Sequence, residues 1–261
     1  MTLRVWWDEP ADGPCNMAAD ELLAAEASDR GEICMRIYGW QPATVSLGGF
    51  QRGVDARAER SIAGVPIVRR PSGGGAIVHG SDLTYAAAVP KTHPWGGRPQ
   101  LLYDALHEAM RQSLGAFGVE AVLWRPAETV VAPVAGERFF CFDRRSSGDL
   151  VVRGSGTADG LGHKVMGSAQ RRLAATVLQH GSLLLRRNLD VAPAASHPGL
   201  DDLIGGGFPA AAVRPLVRAW IAAVATALGT EVVEESGRFQ DEKLVREKAL
   251  EFASERWTWR R

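Results

Sequence analysis

Short apolar runs, many of them alternating with polar residues and broken by glycine or proline, fill the chain up to about residue 190. LRVWW (3–7), ICMRIYGW (33–40) and ATVSLGGF (43–50) read as strands, because runs this short with period-two alternation suit a half-buried pleat. VPIVRR (65–70) enters a glycine turn at 71–75, and AIVHG and DLTYAAAV continue as strands over 76–89. VEAVLW (119–124), DLVVRG (149–154), HKVMGSAQRR (163–172) and TVLQHGSLLL (176–185) alternate enough to join the sheet, with FFCF (139–142) a short apolar segment. Helical spacing appears after a Gly13–Pro14 turn, where Asn16 can cap residues 16–27 and Asp20 and Glu21 sit near the positive end. It recurs at 54–64, ended by Gly64, and most clearly at 101–118, ended by glycines. KTHPWGGRPQ (91–100) and APVAGER (132–138) read as loops, as does the stretch after Asp190, before long helices at 210–229 and 239–257. No fixed-period repeat or linker divides the pattern. The expectation is an α+β fold, a mostly antiparallel mixed sheet flanked by helices, in one domain over residues 1–261.

Composition narrows the class. The 261 residues are 46% hydrophobic and 23% charged, as in an ordinary globular protein and unlike a disordered or fibrous one. Thirty basic residues balance thirty acidic ones, which argues against broad binding to nucleic acid or membrane. The arginine pairs at 144–145, 171–172 and 186–187 read as solvated edges or as a surface for an acidic partner. Cys15, Cys34 and Cys141 show neither disulfide nor zinc spacing, so no metal is expected. The N-terminus has no secretory pattern and no apolar run approaches the ~18 residues of a membrane span, so the expectation is a cytoplasmic protein.

Two stretches could carry chemistry. In RRPSGGGAIVHG (69–80) three bare glycines allow positive φ and close approach of a ligand, their N–H groups could hold an anion, and Arg69 and Arg70 could add cationic donors. The plain alternative is a flexible hairpin turn; the stretch is neither a Walker A loop nor a GxGxxG fingerprint. The second stretch runs from Cys141 through Lys164 to GSAQRR (167–172). A thiol needs help to act as a nucleophile, and a nearby lysine would favour the thiolate. Lys164 also suits an electrophilic role toward a carbonyl oxygen or phosphate. Between aromatics, Cys141 can equally be a buried small hydrophobe. His79 and His180 read as core or supporting hydrogen-bonders, and no Ser-His-Asp order stands out.

Taken together these residues resemble the lipoate–protein ligase and octanoyltransferase superfamily, which shares the biotin/lipoate A/B protein ligase catalytic domain. RRPSGGGAIVHG followed by DLTY resembles its lipoyl-binding signature. Asn16-Met17-Ala18 with Asp20-Glu21 resembles its opening helix, and Tyr38, Trp40, Pro42, Ser46, Gly48 and Gln51 resemble its Y-x-W-x-P…S-x-G-x-x-Q segment. HKVMGSAQRR and LQHGSLLL resemble its lysine and H-G-[ST] segments. The resemblance implies a fold related to class II tRNA synthetase cores and attachment of an eight-carbon acyl group to a lysine of a lipoyl carrier domain. It places substrate at Arg69, Arg70, Ser72, Gly73, Gly74, Gly75, His79, Gly167, Ser168, Ala169, His180 and Gly181, with Lys164 on the acyl carbonyl.

Within that superfamily the residues lean toward the cysteine-dependent octanoyltransferases, in which a cysteine precedes an S-x-x-[DE]-[LI] strand, as Cys141 precedes Ser146 and Asp149-Leu150. The expected reaction moves octanoate from acyl carrier protein through a Cys141 thioester to the glycine cleavage H protein or a dehydrogenase E2 domain, without a cofactor. Lys164 assists catalysis. An ATP- and Mg-dependent lipoate ligase is the alternative, and a non-catalytic lipoyl or acyl binder a third. The resemblance reaches the C-terminal tryptophans, so the expectation is a catalytic domain without the accessory domain many ligases carry. Gly80 and Ala86 depart from the family's His-Asp and L-T-Y-Ser patterns, Gly148 replaces its asparagine, and the insert between Asp149 and Lys164 is long, as in ligases.

Overall fold

The computed structural model describes residues 1–125, 138–153 and 162–261. Most of the 132–138 loop and of the insert before Lys164 lie outside the described residues.

The elements follow in order. β1 (Thr2–Trp7), α1 (Gly13–Arg30), β2 (Ile33–Tyr38), β3 (Thr44–Leu47) and α2 (Gly53–Ala58) precede β4 (Ile67–Arg69), β5 (Ile77–His79) and β6 (Asp82–Pro90). α3 (Pro99–Ala116), β7 (Ala121–Leu123), β8 (Leu150–Val152), β9 (His163–Arg172) and β10 (Thr176–Leu184) come next. α4 (Leu200–Leu203), α5 (Ala210–Leu228), β11 (Glu231–Glu234), α6 (Glu242–Ala253) and α7 (Glu255–Thr258) close the chain.

The large sheet has the order β11-β1-β2-β6-β10-β9-β8-β7. Pairing is parallel at β11-β1 and β1-β2 and antiparallel from β2 onward, so the expected mostly antiparallel mixed sheet is observed. A smaller sheet, β4-β3-β5, carries the glycine turn between β4 and β5. Period-two alternation divides the core. Tyr85, Ala87 and Val89 of β6 pack with Leu102, Leu106, Trp220 and Ile221 of α3 and α5. Ala86 and Ala88 point the other way, to Met17, Leu23 and Ala27 of α1 and Phe252 of α6. Ala86, which departs from the family's serine, thus fills a tight apolar seam under α1.

Several local expectations are corrected. Asp12, not Asn16, caps α1, accepting the Cys15 N–H at 2.8 Å. Gly13 and Pro14 are its first turn, where a missing N–H costs nothing. Asn16 instead lies inside the helix and donates to the carbonyls of Ala11 and Gly39. The helix expected at 54–64 stops at Ala58 and gives way to a 3-10 turn. FFCF leads into a 3-10 turn at Cys141–Asp143, and the terminal helix breaks at Ser254, which caps α7. β11 was not expected: its EVVE is exposed on all four residues and is recruited by pairing with β1. α5 is long and apolar enough to cross a membrane, but its Leu216, Val217, Trp220, Ile221 and Val224 bury one stripe against the sheet and α3.

Candidate active site

The glycine turn and the cysteine segment are stitched together. Ala76 donates to the Phe139 carbonyl at 2.9 Å, and Cys141 donates to the Ala76 carbonyl at 2.8 Å. A side chain at Gly75 would meet the Cys141 nitrogen at 2.8 Å, so only glycine permits this approach. Gly48 meets the turn from the other side, where an added Cβ would lie 1.9 Å from the Gly74 carbonyl oxygen. The turn is therefore held on both sides rather than being a flexible hairpin.

Of the two arginines, Arg70 holds the turn directly. Arg70 is buried and donates to the carbonyls of Ser46, Gly73 and Gly75. Burial pushes its pKa down to about 10, partly offset by Cys141 nearby. Arg69 has a different place from the one expected. It is fully buried, points away from the pocket, and donates to the carbonyls of Thr258, Gly48 and Gln51. Its Nε and Nη1 tie α7 to the loop between β3 and α2, while its buried Nη2 has no hydrogen-bond partner among the described residues.

Beside the turn lies a pocket enclosing about 410 Å³ of space, mouth included, and lined largely by apolar atoms. Met17, Tyr38, Trp40 and Ile77 supply its large side chains, while Gly74, Gly167, Ala169 and Gly181 keep walls low. Ser168, His79, His180, Arg70 and Cys141 also face it. Of the residues expected to hold substrate, Ser72, Gly73 and Gly75 stand behind this lining and shape the turn.

The pocket's polar groups are tied in pairs. His79 stacks on Trp40 at 3.9 Å between centroids and shares hydrogen bonds with Asp82 at 2.8 Å and Ser46 at 2.9 Å. His180 bonds the Ser72 hydroxyl through Nε2 and Asp20 through Nδ1 at 2.9 Å. Asp20 in turn accepts from Tyr38 and from Arg36, which also binds Asp8. A Ser72–His180–Asp20 alignment is thus assembled from three separate elements, and no sequence order signals it. Both histidines make side-chain hydrogen bonds and stand on the pocket wall.

At the mouth, Cys141 Sγ lies 3.5 Å from Lys164 Nζ. Lys164 is 6% exposed and forms a 2.8 Å ion pair with Asp149, which also accepts from Tyr103 at 2.7 Å. Burial pulls the Lys164 ammonium down, but Cys141 and Asp149 outweigh it and hold the pKa above the ordinary lysine value. Burial, first of all, pushes the Cys15 and Cys34 thiols up to about 11 and about 12. Gly167 sits opposite Lys164, where a Cβ would fall 2.4 Å from Cε, so glycine gives the lysine stem its path. Lys164 and Cys141 come together as expected. Asp149, Tyr103 and His107, which binds Ser168 at 2.7 Å, were not singled out for a role. Tyr103 and His107 share an α3 face, at a spacing of four, and that spacing is the one signal that could have paired them.

Comparison with known proteins follows the same line. The family described as "Lipoyl protein ligase A/B catalytic domain" matches residues 12–200. A protein of Kyrpidia tusciae named octanoyltransferase LipM is 38% identical over 182 residues, covering 65% of this chain and 61% of that one. One of the same name from Symbiobacterium thermophilum is 36% identical over 228 residues, covering 84% and 76%. The match to the Kyrpidia protein thus spans less than two thirds of that relative's length. Among solved structures, a lipoate-protein ligase A bound with ATP aligns at TM-score 0.69 and 20% identity, covering 99% of each chain. A bi-partite lipoate protein ligase from Thermoplasma acidophilum aligns at 0.69 and 19%, covering 99% and 96%. At such identities these two establish the fold alone, and the sequence matches carry the kinship: this chain belongs to the lipoyl protein ligase A/B catalytic domain family.

Proposed function

We propose that the protein is an octanoyltransferase, with residues 1–261 acting as one catalytic unit. It takes an octanoyl group from acyl carrier protein and delivers it to the lysine of a lipoyl carrier domain, of the glycine cleavage H protein or a dehydrogenase E2. The observation that carries this reading is the 3.5 Å approach of Cys141 Sγ to the Lys164 ammonium beside an apolar pocket. The relatives named octanoyltransferase support it.

Cys141 Sγ, as thiolate, attacks the donor thioester carbonyl. The new C–S bond forms, the bond to the carrier sulfur breaks, and that sulfur leaves with the proton the enzyme thiol gave up. Lys164 faces the oxygen that gains charge, a contribution for which loss of one donor costs ~10²–10³ in rate. The acceptor amine then attacks the enzyme thioester, an amide forms, and the proton lost by the amine returns to Cys141. The octanoyl chain lies in the pocket among Met17, Tyr38, Trp40 and Ile77. Donor and intermediate are both thioesters, so the first step is near balance and the amide supplies the drive. No nucleotide is consumed.

The test is intact mass after incubation with octanoyl carrier protein. An octanoyl adduct that vanishes in Cys141→Ala supports the transfer route. No adduct, together with acceptor modification that depends strictly on ATP, Mg and free lipoate, sinks it in favour of a ligase.

A further inference from the structure

We propose that Asp149 is a positioning residue for transfer and makes the cysteine–lysine pair part of a Cys141–Lys164–Asp149 triad, oriented by Tyr103. The proposal rests on the transfer reading above.

Asp149 stands at the entrance to β8 with its side chain 1% exposed. Every one of its contacts fixes the carboxylate. Oδ2 pairs with Lys164 Nζ at 2.8 Å and accepts the Ser146 N–H at 2.6 Å, while Oδ1 accepts the Tyr103 O–H at 2.7 Å. Tyr103 is itself held, stacked on His107 at 4.1 Å between centroids and accepting the Ser168 N–H at 3.3 Å. The carboxylate therefore cannot rotate without breaking two hydrogen bonds besides the ion pair.

The consequence falls on Lys164. A lysine is a point charge on a flexible four-carbon stem, with no geometry of its own to aim it. Here Nζ is shared between Asp149, the Cys141 carbonyl at 3.3 Å and Cys141 Sγ at 3.5 Å. Asp149 fixes one corner of that triangle, and the remaining donors fall toward the cysteine. It also offsets the burial of the ammonium, which is costly for an unpaired charge. An amide at 149 would leave the ammonium either swinging to solvent or giving up its proton, and neither leaves a cationic donor beside the sulfur. Asp149 takes no proton in the thioester exchange. Its part is to keep Lys164 charged and aimed while the carrier sulfur leaves.

Three chains are compared in single-turnover acylation by octanoyl carrier protein, read by intact mass: wild type, Asp149→Asn and Tyr103→Phe. Asp149→Asn is expected to slow the adduct rate at saturating donor on the order of 10²-fold, with the half-saturating donor concentration unchanged within about threefold. Tyr103→Phe, which keeps the carboxylate, is expected to slow it about tenfold with the same unchanged half-saturation. It decides the matter if Asp149→Asn fails to fold. An adduct on the wild type, with both folded variants reacting at its rate, overturns this assignment and leaves the transfer reading intact. A raised half-saturation with the saturating rate kept also overturns it, since that marks a merely structural role. No adduct on the wild type overturns the transfer reading and this assignment with it.

Discussion

Asp82 reaches back past Gly80 to His79: its Oδ2 lies 2.8 Å from His79 Nδ1, and its Oδ1 accepts the Gly80 N–H at 3.0 Å. The carboxylate that the family pattern places directly after the histidine is thus supplied from three residues on. Gly80 cannot supply it, because its φ is +126° and a Cβ there would lie 3.0 Å from the Ala43 methyl. Gly80→Asp, although it restores the pattern, should lower stability by about 1–3 kcal/mol in urea unfolding. A variant as stable as the parent would show that this backbone tolerates a side chain.

The same pair has a pH signature. Burial raises the Asp82 pKa, but His79, Ser182 and the Gly80 N–H outweigh it, and the net shift is below the ordinary 3.8. A carboxyl depressed on folding stabilises the fold above its unfolded pKa and loses that stabilisation as pH falls through the folded one. Asp82→Asn should therefore flatten the acid limb of stability below about pH 4. Unfolding midpoints that follow the parent through that range would count against the pairing.

His107 should act in a separate window. It is fully buried, and burial, opposed by Asp149 and the Gly148 carbonyl and aided by Lys164, pushes its pKa down to about 4. The neutral ring is consistent with its contacts: Nδ1–H donates to the Gly148 carbonyl, and Nε2 accepts from Ser168, each at 2.7 Å. A histidine depressed on folding from the ordinary 6.5 contributes its full stabilisation above that value. It loses it as pH falls from about 6.5 toward 4, by up to about 3 kcal/mol. His107→Gln should be less stable at neutral pH and less sensitive between those values. A parent whose urea midpoint is level from pH 7 to 4.5 would refute the burial argument.

Asp20 is the junction of the buried polar chain behind the pocket. It accepts from Arg36 at 2.8 Å, Tyr38 at 3.0 Å and His180 at 2.9 Å. Asp20→Asn takes one of two carboxylates from buried Arg36, which keeps Asp8, and weakens the bonds from Tyr38 and His180, so it should cost about 2–3 kcal/mol. Ser72→Ala, which removes only a hydroxyl from His180, should cost about 1 kcal/mol. The two values come from denaturation curves, and equal losses would deny Asp20 its central place.

What the chain's order made legible was local and periodic. Alternation found the strands, and α3 and α5 were visible as apolar stripes. Cys141, Lys164 and the glycine turn each had a plain alternative use by type and spacing, and it was their combination, in its resemblance to a family, that picked them out. What stayed hidden depends on convergence across the fold. Asp20, Ser72 and His180 come from a helix, a turn and a strand, and only the packing of α1 on β10 brings them together. Asp149 reads in the sequence only as the acid of the S-x-x-[DE]-[LI] segment, and its pairing with Lys164 shows once β8 is laid beside β9. β11 has no buried face to give it a period, so its EVVE carried no signal.

The glycines around the site separate cleanly by what a methyl group would meet. At Gly73 the nearest atoms are the Phe50 ring at 3.3 Å, and that side chain is 71% exposed and free to turn aside. At Gly75 a Cβ would press on backbone, the Cys141 nitrogen at 2.8 Å and the Phe139 carbonyl oxygen at 3.0 Å. At Gly167 it would meet Lys164 Cε at 2.4 Å and Nζ at 2.7 Å, atoms that can move only by leaving Asp149 and Cys141. Gly73→Ala should keep both stability and Cys141 acylation within about twofold. Gly75→Ala should lose about 1–3 kcal/mol and the adduct together, because the cysteine segment is pushed off the turn. Gly167→Ala should slow acylation on the order of 10²-fold and also lower stability by about 3 kcal/mol, because displacing the lysine breaks its buried ion pair with Asp149. Acylation rates and melting curves on the three variants check the ordering, and a fully active Gly167→Ala would mean that Lys164 does its work from some other position.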